Sequence, residues 1–217
     1  MRFGAKIAVL VVVVNALALP ATARAECPHP PNECPMFGGI EKNEDMKRAD
    51  ETFIEKTDEL GLSREEGAKV SIKLGWKYFL RADYASAMKR FNQAWVLDPS
   101  NGDIYHGMAA VVAERDKDVD AADALFQESL NSSFHSPGVL ADYGYFLIRS
   151  GRPQNAENML RDAIENHPDA QNLRYNLAIA LLVQGKNEQA CRAGRDAREA
   201  GDQVEDGFLT EACGAQQ

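Results

Sequence analysis

A repeat constrains this chain more than any other feature. Reading back from Pro99 meets Ala94, Phe91, Ala87, Tyr78, Gly75 and Leu74; reading back from Pro168 meets Ala163, Leu160, Ala156, Leu147, Gly144 and Tyr143 at the same offsets. The two prolines lie 69 residues apart, which is two units of about 34 residues and one inserted residue. Between them, Met108, Ala109 and Val112 keep the phase, and Ala122 and Phe126 follow displaced by one. A further unit carries Leu177, Ala178, Leu181, Gly185, Ala190 and Ala197. Each unit splits into two apolar-periodic segments of about 14 residues, the period of amphipathic helices. The turns between them fall at Arg81-Ala82-Asp83, Gly151-Arg152-Pro153 and Gly185-Lys186-Asn187. One such pair cannot bury its apolar face alone, so the units must stack on one another. No useful run of strand-like alternation occurs.

These residues resemble the tetratricopeptide repeat (TPR) family, whose pattern is W-x2-L-G-x2-Y, then A-x3-F, then P. The likeness covers about 68–204, in units 68–101, 102–136, 137–170 and 171–204. The first and third units match closely. The second lacks the proline near its end, and the fourth has Gly194 where the second helix should present a large residue. The stretch Val139–Gly151 is also weakly similar to a repeat of type IV pilus assembly TPR proteins. The resemblance implies an all-α, right-handed α–α superhelix of about four helix pairs, with capping helices at both ends.

In that family the first helix of each pair lines a concave groove where partners bind. The implied inward-facing residues are Ile72, Trp76 and Phe79 in the first unit, then His106 and Ala110 in the second. Tyr145 and Ile148 follow in the third, and Tyr175, Asn176, Ile179 and Leu182 in the fourth. Such a groove can bury an extended peptide or an amphipathic helix on aromatic anchors. Trp76 and Phe79 stand close enough to the N-terminal helix to pack against it instead, whereas Tyr145 and Tyr175 are expected to be free. TPR proteins that clamp acidic chaperone tails use Lys, Asn and Arg at fixed inward positions. Here those positions hold Ile72, Trp76, Gly107, Gly138 and Asp142, none of which grips a carboxylate.

Outside the repeats, 1–25 reads as an export signal: Arg2 and Lys6, the apolar run Ile7–Leu19, then Pro20 and Ala23-Arg24-Ala25. Glu26, which precedes Cys27, does not suit lipid modification, and the run is short for a membrane span. A periplasmic or secreted product without membrane insertion is expected. The chain carries 24 basic and 33 acidic residues, and three of the basic ones lie in 1–25; what remains is 21 against 33, or −12. Such a balance opposes nucleic acid, where phosphate neutralisation dominates affinity.

Residues 26–40, rich in proline and cysteine, read as a loop or ordered tail. A charged helix over 41–60, with Met46, Phe53 and Leu60 on one face and Gly61 after it, caps the solenoid within an N-terminal segment 41–67. At the other end, 203–213 is expected to be a helix with Val204, Phe208 and Leu209 on one face, opening a C-terminal cap (205–217). Four cysteines behind an export signal favour disulfides. Of three connectivities, Cys27–Cys34 with Cys191–Cys213 is favoured, because two helices folded antiparallel about Gly201 bring Cys191 nearly opposite Cys213.

A competing reading gathers Cys27, His29, Cys34 and Met36 as soft ligands for Cu(I) or Zn(II), the basis of a periplasmic metal carrier or redox protein. Their spacing matches no known metal pattern. No nucleophile elbow, metalloprotease helix, phosphate-cradling loop or dinucleotide fingerprint is present. The expectation is therefore a non-catalytic adaptor without cofactor or metal. It would bind a protein or peptide partner in envelope assembly, whether of a pilus, a secretion machine or a cell-wall complex.

Overall fold

The computed structural model describes residues 27–214, and within them every regular element is helical. The expected export signal lies outside the described residues. Helix α1 (Glu44–Glu59) precedes four antiparallel pairs: α2 (Arg64–Phe79) with α3 (Tyr84–Leu97), α4 (Gly102–Val111) with α5 (Val119–Asn131), α6 (Gly138–Arg149) with α7 (Pro153–Asn166), and α8 (Leu173–Val183) with α9 (Asn187–Glu199). A short α10 (Phe208–Cys213) follows. Each helix packs on the next, and α2 also meets α4 as α6 meets α8, which is the contact pattern of a solenoid.

Local sequence starts these helices. Ser63 and Glu66 form a reciprocal capping box at α2, Asp83 accepts from Ser86 N at α3, and Asp118 from Ala121 N at α5. The turn within each pair places one residue in the left-handed region, at Ala82, Lys117, Gly151 and Gly185. Only the last two are glycine, so the first two units carry some backbone strain there. The interval from Ala82 to Lys117 is one residue longer than the others. That insertion is absorbed as a π-helical turn over Val112–Asp116 at the end of α4.

The core is built around Phe91, which is fully buried between α2 and α4. A Cβ added at Gly75 would lie 2.6 Å from its ring, and one at Gly107 only 2.2 Å. Two glycines on two helices therefore leave the space that one aromatic ring fills. Gly144 opens the same kind of space for Leu160.

Both ends are covered, by different means. The segment Cys27–Ile40, with 3₁₀ turns at Pro31–Glu33 and Pro35–Gly39, lies along α3. Asn92 Nδ2 donates to Cys34 O at 2.8 Å, and Arg115 Nη1 donates to Glu33 O at 3.0 Å. A disulfide joins Cys27 to Cys34 within this strap. At the other end the expected 203–213 helix is reduced to the six residues of α10. Residues 202–207 are non-helical because Asp202 is used elsewhere: its carboxylate accepts from Asn172 N (2.7 Å) and Tyr175 N (3.1 Å), capping α8. Gly194, the position of the missing large residue, is occupied from outside. A Cβ there would lie 2.7 Å from the Phe208 ring and 2.8 Å from Leu209. The Cys191–Cys213 disulfide (Cα–Cα 4.8 Å) fastens this cap to α9.

Candidate functional site

The first helices of the first three pairs, α2, α4 and α6, enclose a concave cavity of about 370 Å³. Five aromatic rings line it. Trp76 and Phe79 come from α2, Phe126 from α5, and Tyr145 and Phe146 from α6. Helical spacing explains the grouping, since Trp76 and Phe79 lie three apart on one face of α2. The rings also brace one another: Trp76 meets Phe79 at 5.3 Å, and Phe126 meets Phe146 at 5.1 Å between centroids. Tyr145 is the most open, at 46% exposure. None of the lining comes from α1, so Trp76 and Phe79 face the cavity rather than the N-terminal helix.

Charges surround this apolar floor. Glu114 takes Lys117 at 2.9 Å on one oxygen and Arg149 on the other, and these hydrogen bonds hold its carboxyl below the usual range. Arg149 also stands over the Tyr145 ring at 5.8 Å. Asp142 meets His106 Nε2 at 2.8 Å through Oδ2. A carboxylate only accepts, so that nitrogen carries the proton and donates.

The groove residues read from the sequence separate into three groups. Trp76, Phe79, Tyr145 and Ala110 line the cavity. His106 is 6% exposed and lies beneath it, its ring 4.9 Å from Trp76; Ile148 is buried, and Ile72, Ile179 and Leu182 are half-buried against the core. The fourth unit contributes nothing to this cavity. Asn176 is buried and donates to Ala141 O at 2.7 Å, which ties α8 to α6. Tyr175 is not free as expected. Its ring meets Phe208 edge-on at 5.2 Å, and its hydroxyl accepts from Glu205 N at 3.4 Å. The C-terminal segment turns back over α8, a contact that helical periodicity alone does not reveal.

The inward register places Asp142 on the concave side but does not give Phe126, Phe146, Glu114, Lys117 or Arg149, which also line the cavity. Phe126 belongs to the A-x3-F motif of its unit and serves core and cavity together. Phe146 adjoins Tyr145, and the cavity reaches both because it opens towards the turn end of α6. A second trough on α7, with His135, Asp162 and His167 around it, has no Phe, Trp or Tyr in its lining.

The soft-ligand cluster is not assembled for metal. Cys27 and Cys34 are bonded to each other, and His29 Nε2 lies 2.8 Å from Asp116 Oδ1. In that state the pair offers no thiolate. Among the described residues no helix is long and apolar enough to cross a membrane.

Stacked helix pairs around a concave aromatic cavity define a helical-repeat scaffold for protein interactions. The chain is similar to members of the tetratricopeptide repeat family. The profile of the cilia and flagella-associated protein 70 middle TPR-like domain matches residues 105–207. The type IV pilus assembly protein PilF of Pseudomonas aeruginosa is 30% identical over 137 residues, covering 62% of this chain and 53% of PilF. The chain thus spans about half the length of that relative. A solved structure of Pseudomonas aeruginosa PilF superposes with a TM-score of 0.58 at 26% identity, over 64% of this chain and 63% of that one. YrrB, described as a TPR protein with an unusual peptide-binding site, shares the fold at a TM-score of 0.50 and 18% identity, over 70% of this chain and 76% of its own.

Proposed function

We propose that this protein is an exported, non-catalytic scaffold of the bacterial envelope that holds a protein or peptide partner in the cavity between α2, α4 and α6. The observation that carries the reading is the cavity itself, five rings on the concave side with Tyr145 half exposed. A surface of this kind gains from excluding water on contact, and aromatic anchors concentrate binding energy. The export signal read in 1–25 and the two disulfides fit an oxidising compartment. The kinship to PilF favours pilus assembly over secretion or cell-wall complexes as the process served.

A photo-crosslinking amino acid at Tyr145, compared with one at the exposed Val70 of α2, tests the site in living cells. A discrete adduct from position 145 and none from position 70 is expected. No adduct from position 145, or the same adducts from both, would overturn the groove reading. Loss of surface pili on deletion of the gene tests the process separately.

A further inference from the structure

The cavity is not electrically uniform, and its polarity points to the kind of segment it takes. Along α6, Asp142 and Arg149 stand seven residues apart, so about 10 Å of helix axis separates them, with Tyr145 and Phe146 between. At the Asp142 end the carboxylate side chain is 59% exposed. Its Oδ2 is held by His106, and among the described residues no donor reaches Oδ1. Neither cation of the rim is near enough to neutralise it, because Lys117 and Arg149 both converge on Glu114. That trio, with two cations on one carboxylate, keeps one positive charge at the opposite end. Lys117 and Arg149 remain 64% and 52% exposed, so their remaining donors face solvent. Negative at one end, aromatic in the middle and positive at the other, the cavity is a dipolar trough.

We propose that the trough selects a peptide segment of a protein partner in which a bulky apolar side chain is flanked by a lysine or arginine on one side and a carboxylate on the other. The apolar group fills the space between Trp76, Phe79 and Phe146. The cation pairs with Asp142 Oδ1, and its alkyl stem can lie along the Tyr145 ring. The carboxylate, from a side chain or a chain terminus, meets Lys117 and Arg149. Opposite charges at fixed separation set the direction and register of the segment, while the rings supply most of the affinity. A segment with like charges on both flanks would place one of them against its own sign. This inference rests on the groove reading and sharpens it.

Selection of displayed random peptides on the purified protein, with parallel selections on Asp142→Asn and Tyr145→Ala, tests it. The expected consensus is an apolar anchor with a basic residue on one flank and an acidic residue on the other. Asp142→Asn, nearly isosteric and on an exposed side chain, should erase the basic preference alone and weaken the selected peptides about two- to fivefold, as an exposed ion pair warrants. Apolar peptides that need Tyr145 but show no charge pattern, or like charges on both flanks, would overturn the dipolar assignment and leave the groove standing. A selection yielding no peptide that depends on Tyr145 would overturn both.

Discussion

Glu157 offers the sharpest test of what holds the repeats together. It lies on α7, only 6% exposed, and meets Arg161 of its own helix and two side chains from the α8–α9 turn. Lys186 Nζ lies 2.7 Å away, Gln184 Nε2 at 2.9 Å and Arg161 Nη2 at 3.0 Å, so the α8–α9 turn is tied to the third pair. Burial alone would raise its pKa. The hydrogen bonds and charges of Lys186, Arg161 and Gln184 outweigh it and bring the value from 4.5 down to about 2. A shift of that size corresponds to about 3 kcal/mol favouring the folded state at neutral pH. Lys186 and Arg161 are 33% and 46% exposed, and the solvent around them screens part of that, leaving about 2 kcal/mol. Because the folded value is the lower one, the stabilisation is complete above 4.5 and fades as pH falls towards 2.

Glu157→Gln keeps the shape and removes the charge. Urea denaturation followed by far-UV circular dichroism, run on both proteins across a pH series, should show the variant less stable by about 2 kcal/mol at neutral pH. The gap should narrow once pH drops below 4.5 and close near 2. A gap that stayed constant down to the lowest pH would refute the reasoning, because the loss would then lie in packing or hydrogen bonding rather than in charge.

Three other outcomes follow from the packing. Gly107→Ala should cost about 2 kcal/mol despite the better helix propensity of alanine, because its Cβ would meet the immobile Phe91 ring at 2.2 Å; pairing it with Phe91→Leu should recover part of the loss in a double-mutant cycle. Ala82→Gly should raise the melting temperature slightly, by relieving a left-handed alanine at φ 56°, and Gly151→Ala should lower it by about 1 kcal/mol equivalent. Replacing Cys191 and Cys213 with serine should cost about 3 kcal/mol for a bridge spanning 22 residues, and a reductant should then shift the melting of that variant less than that of the parent.

What the sequence revealed and what it hid divide along a physical line. The helix pairs were legible because apolar period, turn residues and helix caps are all local, and the 34-residue recurrence checks each unit against the next. Gly194 was legible as a defect, but its partner was not, since Phe208 reaches it from another element. Asp202 and Tyr175 were hidden for the same reason: each is spent on a segment some thirty residues away in the chain, and neither leaves a periodic trace. The site shows the same division. Trp76, Phe79 and Tyr145 follow from inward register, whereas Phe126 comes from a second helix, and the rim charges depend on how tightly successive pairs close.

The terminal segments also decide which part of the concave surface stays open. The N-terminal strap packs along α3, a second helix of its pair, and leaves Trp76 and Phe79 uncovered. The C-terminal segment does the opposite. It reaches the first helix of the last pair, caps it with Asp202, and lays Phe208 against Tyr175. Four units could in principle expose four inward faces, yet the cavity draws on three. Its dimensions are therefore set by the caps as much as by the repeat, and the Cys191–Cys213 disulfide fixes the C-terminal cap in place. Releasing Cys191 from Cys213 should loosen the cover over Tyr175 and leave the Tyr145 end of the cavity unchanged, because no residue of α9 or α10 lines it. A repeat array that lengthens its groove simply by adding units would lack this asymmetry. Here the last unit serves to close the solenoid, and the first three line the aromatic cavity.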